Sequence, residues 1–351
     1  MEYPVAIVGA GPYGISLANH LHTQGTPFIL FGKPMDLWRN HTFDSMTLRS
    51  DYATSEISHP RRKYSYENFC QYQGTNISDM KGQLPVRVFR EYINWCFDQF
   101  RFAIEPQMIH GISKTQGGFS LQTESGSRLT AKRVVIASGI AHHLYVPDFG
   151  ENHQAIIHSY HVQEIQKIKN RKVLVIGAGQ SAAESIAVLK ENDNEVDWYT
   201  KTDPKYFSEP LNIPKWLFDQ IIRLPGIFRG IHPTIIQRTL GLFSATTITP
   251  NFQSLLQTVV HHQIQPSFRK YDIIISATGY HYDLQDIPFI SEPVRSKIRQ
   301  RQNYPILSRH FESSLRGLYF MGAIAEPFFG PSMKFMIGSR YSSAVVARAL
   351  A

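Results

Sequence analysis

The chain has 351 residues, 42% hydrophobic and 18% charged, and carries a net charge of +8. That length suits two domains, each able to bury a core, and no apolar run reaches the roughly 18 residues that a membrane span needs. Two cysteines, Cys70 and Cys96, form no CxxC, which excludes a disulfide framework and a closely spaced redox pair; the basic clusters at 61–63, 167–172 and 295–301 match no nucleic-acid reader motif and read as solvated surface or as a field for polyanionic cofactors.

Residues 5–8 are a short β-branched apolar run, the pattern of a parallel strand covered on both faces. The run starts so early that no leader peptide fits before it, so a cytoplasmic location is expected. Gly9, Gly11 and Gly14 follow: one for a tight turn, one for close approach of a pyrophosphate, one for helix–strand packing. Residues 15–22 supply a helix whose amino terminus can hold phosphate, Gly25 ends it, and residues 27–31 form a second strand. The acid that would close this strand and bind ribose is absent; Gly32 and Lys33 stand there, and Lys33 is a candidate for phosphate or ribose.

Residues 38–60 are polar and aromatic without a period, the mark of a long ordered loop, functional or merely superficial. Residues 85–100 read as a helix, 102–131 as a small antiparallel meander with turns at Gly117-Gly118 and Gly126, and 133–139 as a buried strand ending in Gly139. A linker begins at Pro147-Asp148.

A second unit then repeats the first. Residues 173–176 are its strand, Gly177, Gly179 and Ala182 its turn, and 195–200 its second strand. Gly9 to Gly32 and Gly177 to Thr200 span the same 23 residues. Again no acid closes the second strand. Lys201 suits a 2′-phosphate and so NADPH, or is an ordinary surface lysine. Two nucleotide turns in one chain point to electron transfer between two bound nucleotides.

Residues 203–256, with prolines at 204, 210, 214, 225, 233 and 250, read as an insertion of short helices, capping a substrate pocket or presenting an apolar interface or membrane-surface patch. Residues 271–280 are a buried strand ending in small residues, 311–323 the last strand with its approach, and 332–350 a helix.

The order GAGPYG, GAGQSAAE, DIIISATGY resembles the two-dinucleotide flavoprotein monooxygenases: flavin-containing monooxygenases, Baeyer–Villiger enzymes and lysine or ornithine N-hydroxylases. The resemblance covers nearly the whole chain and implies an α/β fold with two Rossmann-like dinucleotide-binding domains, the second inserted into the first. The expected FAD domain is 1–149 with 281–351; the expected NADPH domain is 150–280. The resemblance implies FAD at Gly9, Gly11 and Gly14, and NADPH at Gly177, Gly179, Ser181 and Ala182. Pro12, Tyr13, Lys33, Trp38, Arg49, Ser50, Gly139, Gly322 and Pro331 are further flavin-site candidates; Gln180 and Lys201 are further NADPH-site candidates. Arg49, His158 and Tyr280 are candidates for the reacting centre. The family's FxGxxxH would put Phe at 152 and Gly at 154; Asn152 and Gln154 stand there, and only His158-Ser159 matches. The common GD near the ribityl chain is Gly322-Ala323.

The activity implied is NADPH-dependent oxygenation of a small molecule by O₂ through a flavin C4a-hydroperoxide. The alternatives are an NADPH-dependent flavin reductase of a quinone or small disulfide, and a flavin-binding sensor or interaction module. Such chemistry is the cofactor's, so no metal and no side-chain nucleophile are expected. No nucleic-acid or membrane partner is expected, and oligomeric state stays open.

Overall fold

The computed structural model describes residues 2–48, 50–79, 83–150, 155–206 and 247–351. Strand β1 (Glu2–Val8) carries the apolar run, and Val5, Ala6 and Ile7 are fully buried. It lies parallel between β2 (Phe28–Phe31) and β5 (Arg128–Ile136), with Val5 opposite Phe28 on one side and Arg133 on the other. The nine-residue β5 serves two structures at once. Its first half pairs antiparallel with β4 (Phe119–Thr123), which pairs with β3 (Ile109–Lys114), the expected meander. Its second half pairs parallel with β11 (Leu318–Phe320), which arrives from the far end of the chain.

A second sheet is wholly parallel, in the order β9 (Val260–His262), β8 (Glu195–Tyr199), β7 (Lys172–Ile176), β10 (Ile273–Ser276), β6 (Ile156–His158). The chain leaves the first sheet after β5, builds the second, and returns to the first through β11. The second unit is therefore inserted into the first. The two crossing segments run side by side: Leu144 bridges Tyr280 antiparallel, Tyr145 N donates to Gly279 O at 3.0 Å, and His281 N donates to His143 O at 3.0 Å.

Five helices of eight residues or more are described: α1 (Pro12–Thr23), α2 (Tyr66–Gln73), α3 (Val86–Phe97), α4 (Gln180–Glu191) and α5 (Gly338–Leu350). Helix α3 buries Val86, Phe89, Tyr92, Ile93, Trp95 and Cys96. Its Tyr92 stacks on Tyr66 at 4.2 Å, donates to Tyr64 O at 2.5 Å and accepts from Ile57 N at 2.8 Å. One phenol thus fastens the segment that borders the site. Cys70 and Cys96 are both buried thiols in this region.

Several boundaries depart from expectation. The helix predicted over 332–350 starts at Gly338; residues Pro331–Lys334 form a separate 3₁₀ turn. Phe335, extended at φ −117 and ψ 161, separates the two, and the Met333 and Phe335 carbonyls face Tyr13 Oη at 2.8 Å instead of entering a helical ladder. Within 311–323 the strand itself is Leu318–Phe320, and Phe311, at φ 66, lies in its approach. The loop 38–60 contains the end of a helical turn Asp36–Asn40, a bridge of Thr47–Leu48 with Leu84–Pro85, and a 3₁₀ turn Tyr52–Thr54. Strands β6 and β9 lack a readable pattern of their own. Of the predicted insertion, 207–246 lies outside the described residues, as does Arg49.

Candidate functional site

Where β1 ends, the chain turns so sharply that Gly9 lies against the next crossover. A Cβ there would sit 2.2 Å from Ala137 O, and one on Gly14 would sit 1.9 Å from Gly9 O. Gly11 differs: nothing lies within 4 Å of its Cβ position. It caps α1 without a side-chain hydrogen bond, and the first turn of α1 holds no acid. The positive end of the helix thus faces open space.

That space is a cavity of about 380 Å³. Of the flavin-site candidates, Gly9, Gly11, Pro12, Tyr13, Lys33, Trp38, Ser50, Gly139 and Gly322 line it. Gly14 and Pro331 do not; Gly14 packs α1 against the turn, and Pro331 opens the 3₁₀ turn whose Met333 and Lys334 do line the cavity. Tyr13 ties the two walls together. Its hydroxyl lies 2.8 Å from both Met333 O and Phe335 O. Burial, with a contribution from Tyr282, raises its pKa well above the ordinary value, so it stays a donor. Lys334 is neutralised by the buried Glu326 at 3.0 Å.

The lining has unmet polar demand. Trp38 Nε1 and Ser55 Oγ are buried and have no hydrogen-bond partner among the described residues. Buried donors without partners are costly, and a dinucleotide with its phosphates, ribose hydroxyls and flavin edge would satisfy them. The residues fit FAD. The missing acid also has a structural cause: Gly32 has φ +121, and a Cβ there would approach Ala10 N at 3.0 Å. Asp36, four residues later, does line the cavity.

The second turn is built the same way. A Cβ on Gly177 would sit 2.3 Å from Ala277 O, and Trp198 Nε1 donates to Gly177 O at 2.7 Å. Gly179 caps α4 without a side-chain bond, again with no acid in the first turn. Ala182 is fully buried, while Ser181, at the open end of the helix, is exposed. Gln180 is already engaged: its Oε1 accepts from Thr249 N at 2.9 Å, and its Nε2 lies 3.0 Å from Glu184 Oε1. Glu184 is 4% exposed, and burial pushes its pKa up to about 7. Lys201 is exposed two residues after the end of β8.

His158, at the end of β6, has both ring nitrogens in use. Nε2 lies 2.9 Å from Gly279 O, and Nδ1 accepts from Tyr160 N at 3.1 Å. Those partners fix the neutral tautomer with the proton on Nε2, and burial lowers its pKa from the ordinary value. Tyr280 packs edge-on against His158 at 5.5 Å, and burial raises its phenol to about 12. Neither residue lines the cavity; Tyr160 does. Sequence reasoning missed Asp36, Ser55, Tyr160 and the 333–336 wall. Only Tyr160 had a nearby signal, two residues after His158. Among the described residues no His/Cys/Asp/Glu group could hold a metal, and no helix is long and apolar enough to cross a membrane.

Residues 6–322 match the family described as pyridine nucleotide-disulphide oxidoreductase. An uncharacterized CzcO-like oxidoreductase of Geobacillus kaustophilus is 24% identical over 347 residues, covering 91% of this chain and 90% of that protein. The probable indole-3-pyruvate monooxygenase YUCCA9 of Arabidopsis thaliana is 27% identical over 194 residues, covering 51% of this chain and 42% of its own. In structure, the ornithine N-hydroxylase of Kutzneria sp. 744 superposes with a TM-score of 0.82 at 16% identity, covering 100% of this chain and 99% of that one. The chain belongs to the pyridine nucleotide-disulphide oxidoreductase family, as a flavin-dependent oxidoreductase with a second dinucleotide-binding unit inserted into the first.

Proposed function

We propose that this chain is an FAD-dependent, NADPH-consuming monooxygenase of a small molecule. The observation that carries the reading is the pairing of a flavin-sized cavity on the first glycine turn with an equivalent open turn on the inserted unit. FAD, when bound there, would supply the redox chemistry: uptake of hydride from NADPH and activation of O₂, with one oxygen atom going to the substrate and the other, with two protons, to water.

The protein's part is to bind, orient and exclude water. Gly9 and Gly11 bring the backbone to the pyrophosphate, and the open end of α1 stabilises its charge. Trp38 and Ser55, whose Nε1 and Oγ are buried and unpartnered among the described residues, stand in the wall that would hold the cofactor. Gly177, Gly179 and the exposed Ser181 receive NADPH, and Lys201 takes its 2′-phosphate. His158 serves by holding Tyr160 and Gly279 in place, and Tyr280 packs behind it. Dithiol chemistry has no support: the chain's two thiols are buried, and burial carries Cys96 far above its ordinary range.

The test is direct. The purified protein is expected to retain or take up FAD, to oxidise NADPH, and to incorporate one atom of ¹⁸O from labelled O₂ into a product from a screen of amines, thioethers, ketones and heterocycles. Fast anaerobic turnover with a quinone or disulfide, and no label in any product, would assign a reductase instead. Flavin binding with no NADPH oxidation would leave a sensor or interaction module.

A further inference from the structure

Among the described residues between 155 and 276, Tyr160 alone lines the flavin cavity. Among the described residues it is the point where the inserted unit reaches the cavity of the other. Every part of it except the hydroxyl is pinned, and from both sides. Its N–H donates to His158 Nδ1 at 3.1 Å within its own unit. Its carbonyl lies 3.1 Å from His41 Nδ1, which belongs to the first unit. Its ring stacks on the His41 ring with centroids 3.9 Å apart and planes at 16°.

His41 is itself oriented. Its Nε2 lies 3.3 Å from Asp36 Oδ2, and Asp36 Oδ1 accepts from Asn40 Nδ2 at 2.6 Å. Both ends of the imidazole therefore face acceptors: a carboxylate of the first unit and a carbonyl of the second. A parallel stack of this kind is worth more than its buried area alone. Tyr160 is 8% exposed.

We propose that the Tyr160–His41 stack is a latch through which the inserted unit closes on the bound flavin, with Tyr160 a positioning residue for that cofactor. The proposal rests on the assignment of FAD to this cavity. The latch works by planar stacking and two backbone contacts; the phenol hydroxyl is not part of it.

A double-mutant cycle on the full chain tests it, reading FAD dissociation by quenching of flavin fluorescence and, separately, melting of the FAD-free protein. Tyr160→Ala and His41→Ala are each expected to weaken FAD about tenfold, and the double variant no further than the worse single one. Tyr160→Phe keeps the stack and both backbone contacts, and is expected to stay within about twofold of the parent. Additive losses in the cycle would overturn the latch. So would a Tyr160→Phe loss equal to that of Tyr160→Ala, or lower melting of the FAD-free variants with FAD affinity unchanged. A parent chain that binds no FAD would overturn the functional reading and the latch with it; binding with additive losses would overturn the latch alone.

Discussion

Glu184 offers the sharpest test of the electrostatics. It sits in the second turn of α4, 4% exposed, and its one hydrogen-bond donor among the described residues is Gln180 Nε2 at 3.0 Å. Gln180 is shared with Thr249, so the carboxyl has little to offset its loss of water. Burial raises its pKa from an ordinary 4.5 to about 7. In the unfolded chain the group ionises near the ordinary value, while the folded chain holds its proton until about pH 7. Folding therefore incurs no penalty from this group below about pH 4.5, a growing one between there and 7, and the full penalty above. At about 1.36 kcal/mol per pH unit the full penalty is about 3 kcal/mol. Glu184→Gln keeps the shape and an acceptor for Gln180 but removes the charge. It is expected to be more stable than the parent at pH 8.5, by up to about 3 kcal/mol, and nearly equal to it at pH 4.5. Urea unfolding of the FAD-free protein at the two pH values measures this directly. A difference that does not change with pH, or a variant no more stable at pH 8.5, would refute the reasoning.

The two glycines of the first turn should respond differently. Gly9→Ala places a methyl 2.2 Å from Ala137 O at φ +114 and is expected to cost about 3 kcal/mol or more of stability, seen as a lower melting temperature even without FAD. Gly11→Ala meets nothing within 4 Å, so melting should hold while FAD affinity falls as the methyl enters the open space proposed for the pyrophosphate; fluorescence titration separates the two effects. Tyr13→Phe removes the donor shared by Met333 O and Phe335 O, and is expected to cost about 1–3 kcal/mol and weaken FAD through the loosened 333–335 wall, read by melting and titration together. Lys201→Glu should raise KM for NADPH at least tenfold and leave NADH nearly unchanged, since only the former carries the 2′-phosphate; equal effects on both would remove the phosphate assignment.

The fold was legible because its dominant contacts are local in sequence. A β-branched run, a glycine turn and a helix within 20 or so residues specify one βαβ unit, and two such units stand at the start and middle of the chain. Their glycines can be read because the constraint falls on the backbone: at Gly9 and Gly177 the carbonyl of a neighbouring crossover excludes any Cβ. Gly32 shows the converse. It breaks the ribose-binding pattern, and its φ of +121 near Ala10 N gives a backbone reason that no one-dimensional pattern contains. The start of α5 was misplaced for a similar reason, since the carbonyls of Met333 and Phe335 just before it are held by a phenol on α1, far away in the chain.

The far wall of the cavity was illegible because long-range packing assembles it. Helices α1 and α5 lie side by side, joined by Ser16–Ser339 and Gln24–Ala347 contacts that each span 323 residues. That pairing carries the 333–336 segment over the first glycine turn. Ser55 is brought in by the chain that Tyr92 fastens, and Tyr160 by the inserted unit. None of these residues has a period or motif, and each becomes part of the site through its contacts. The same logic explains why His158, the best-matched residue of the family signature, does not line the cavity. Its two nitrogens are used up by the backbone of Tyr160 and Gly279. Gly279 in turn pairs with Tyr145 across the two crossing segments. A single imidazole thus joins the end of β6, the crossover between units and the one described residue of the inserted unit that lines the cavity. The sequence match at this position marks a structural joint between the inserted unit and the cavity on the first glycine turn, and it acts through Tyr160.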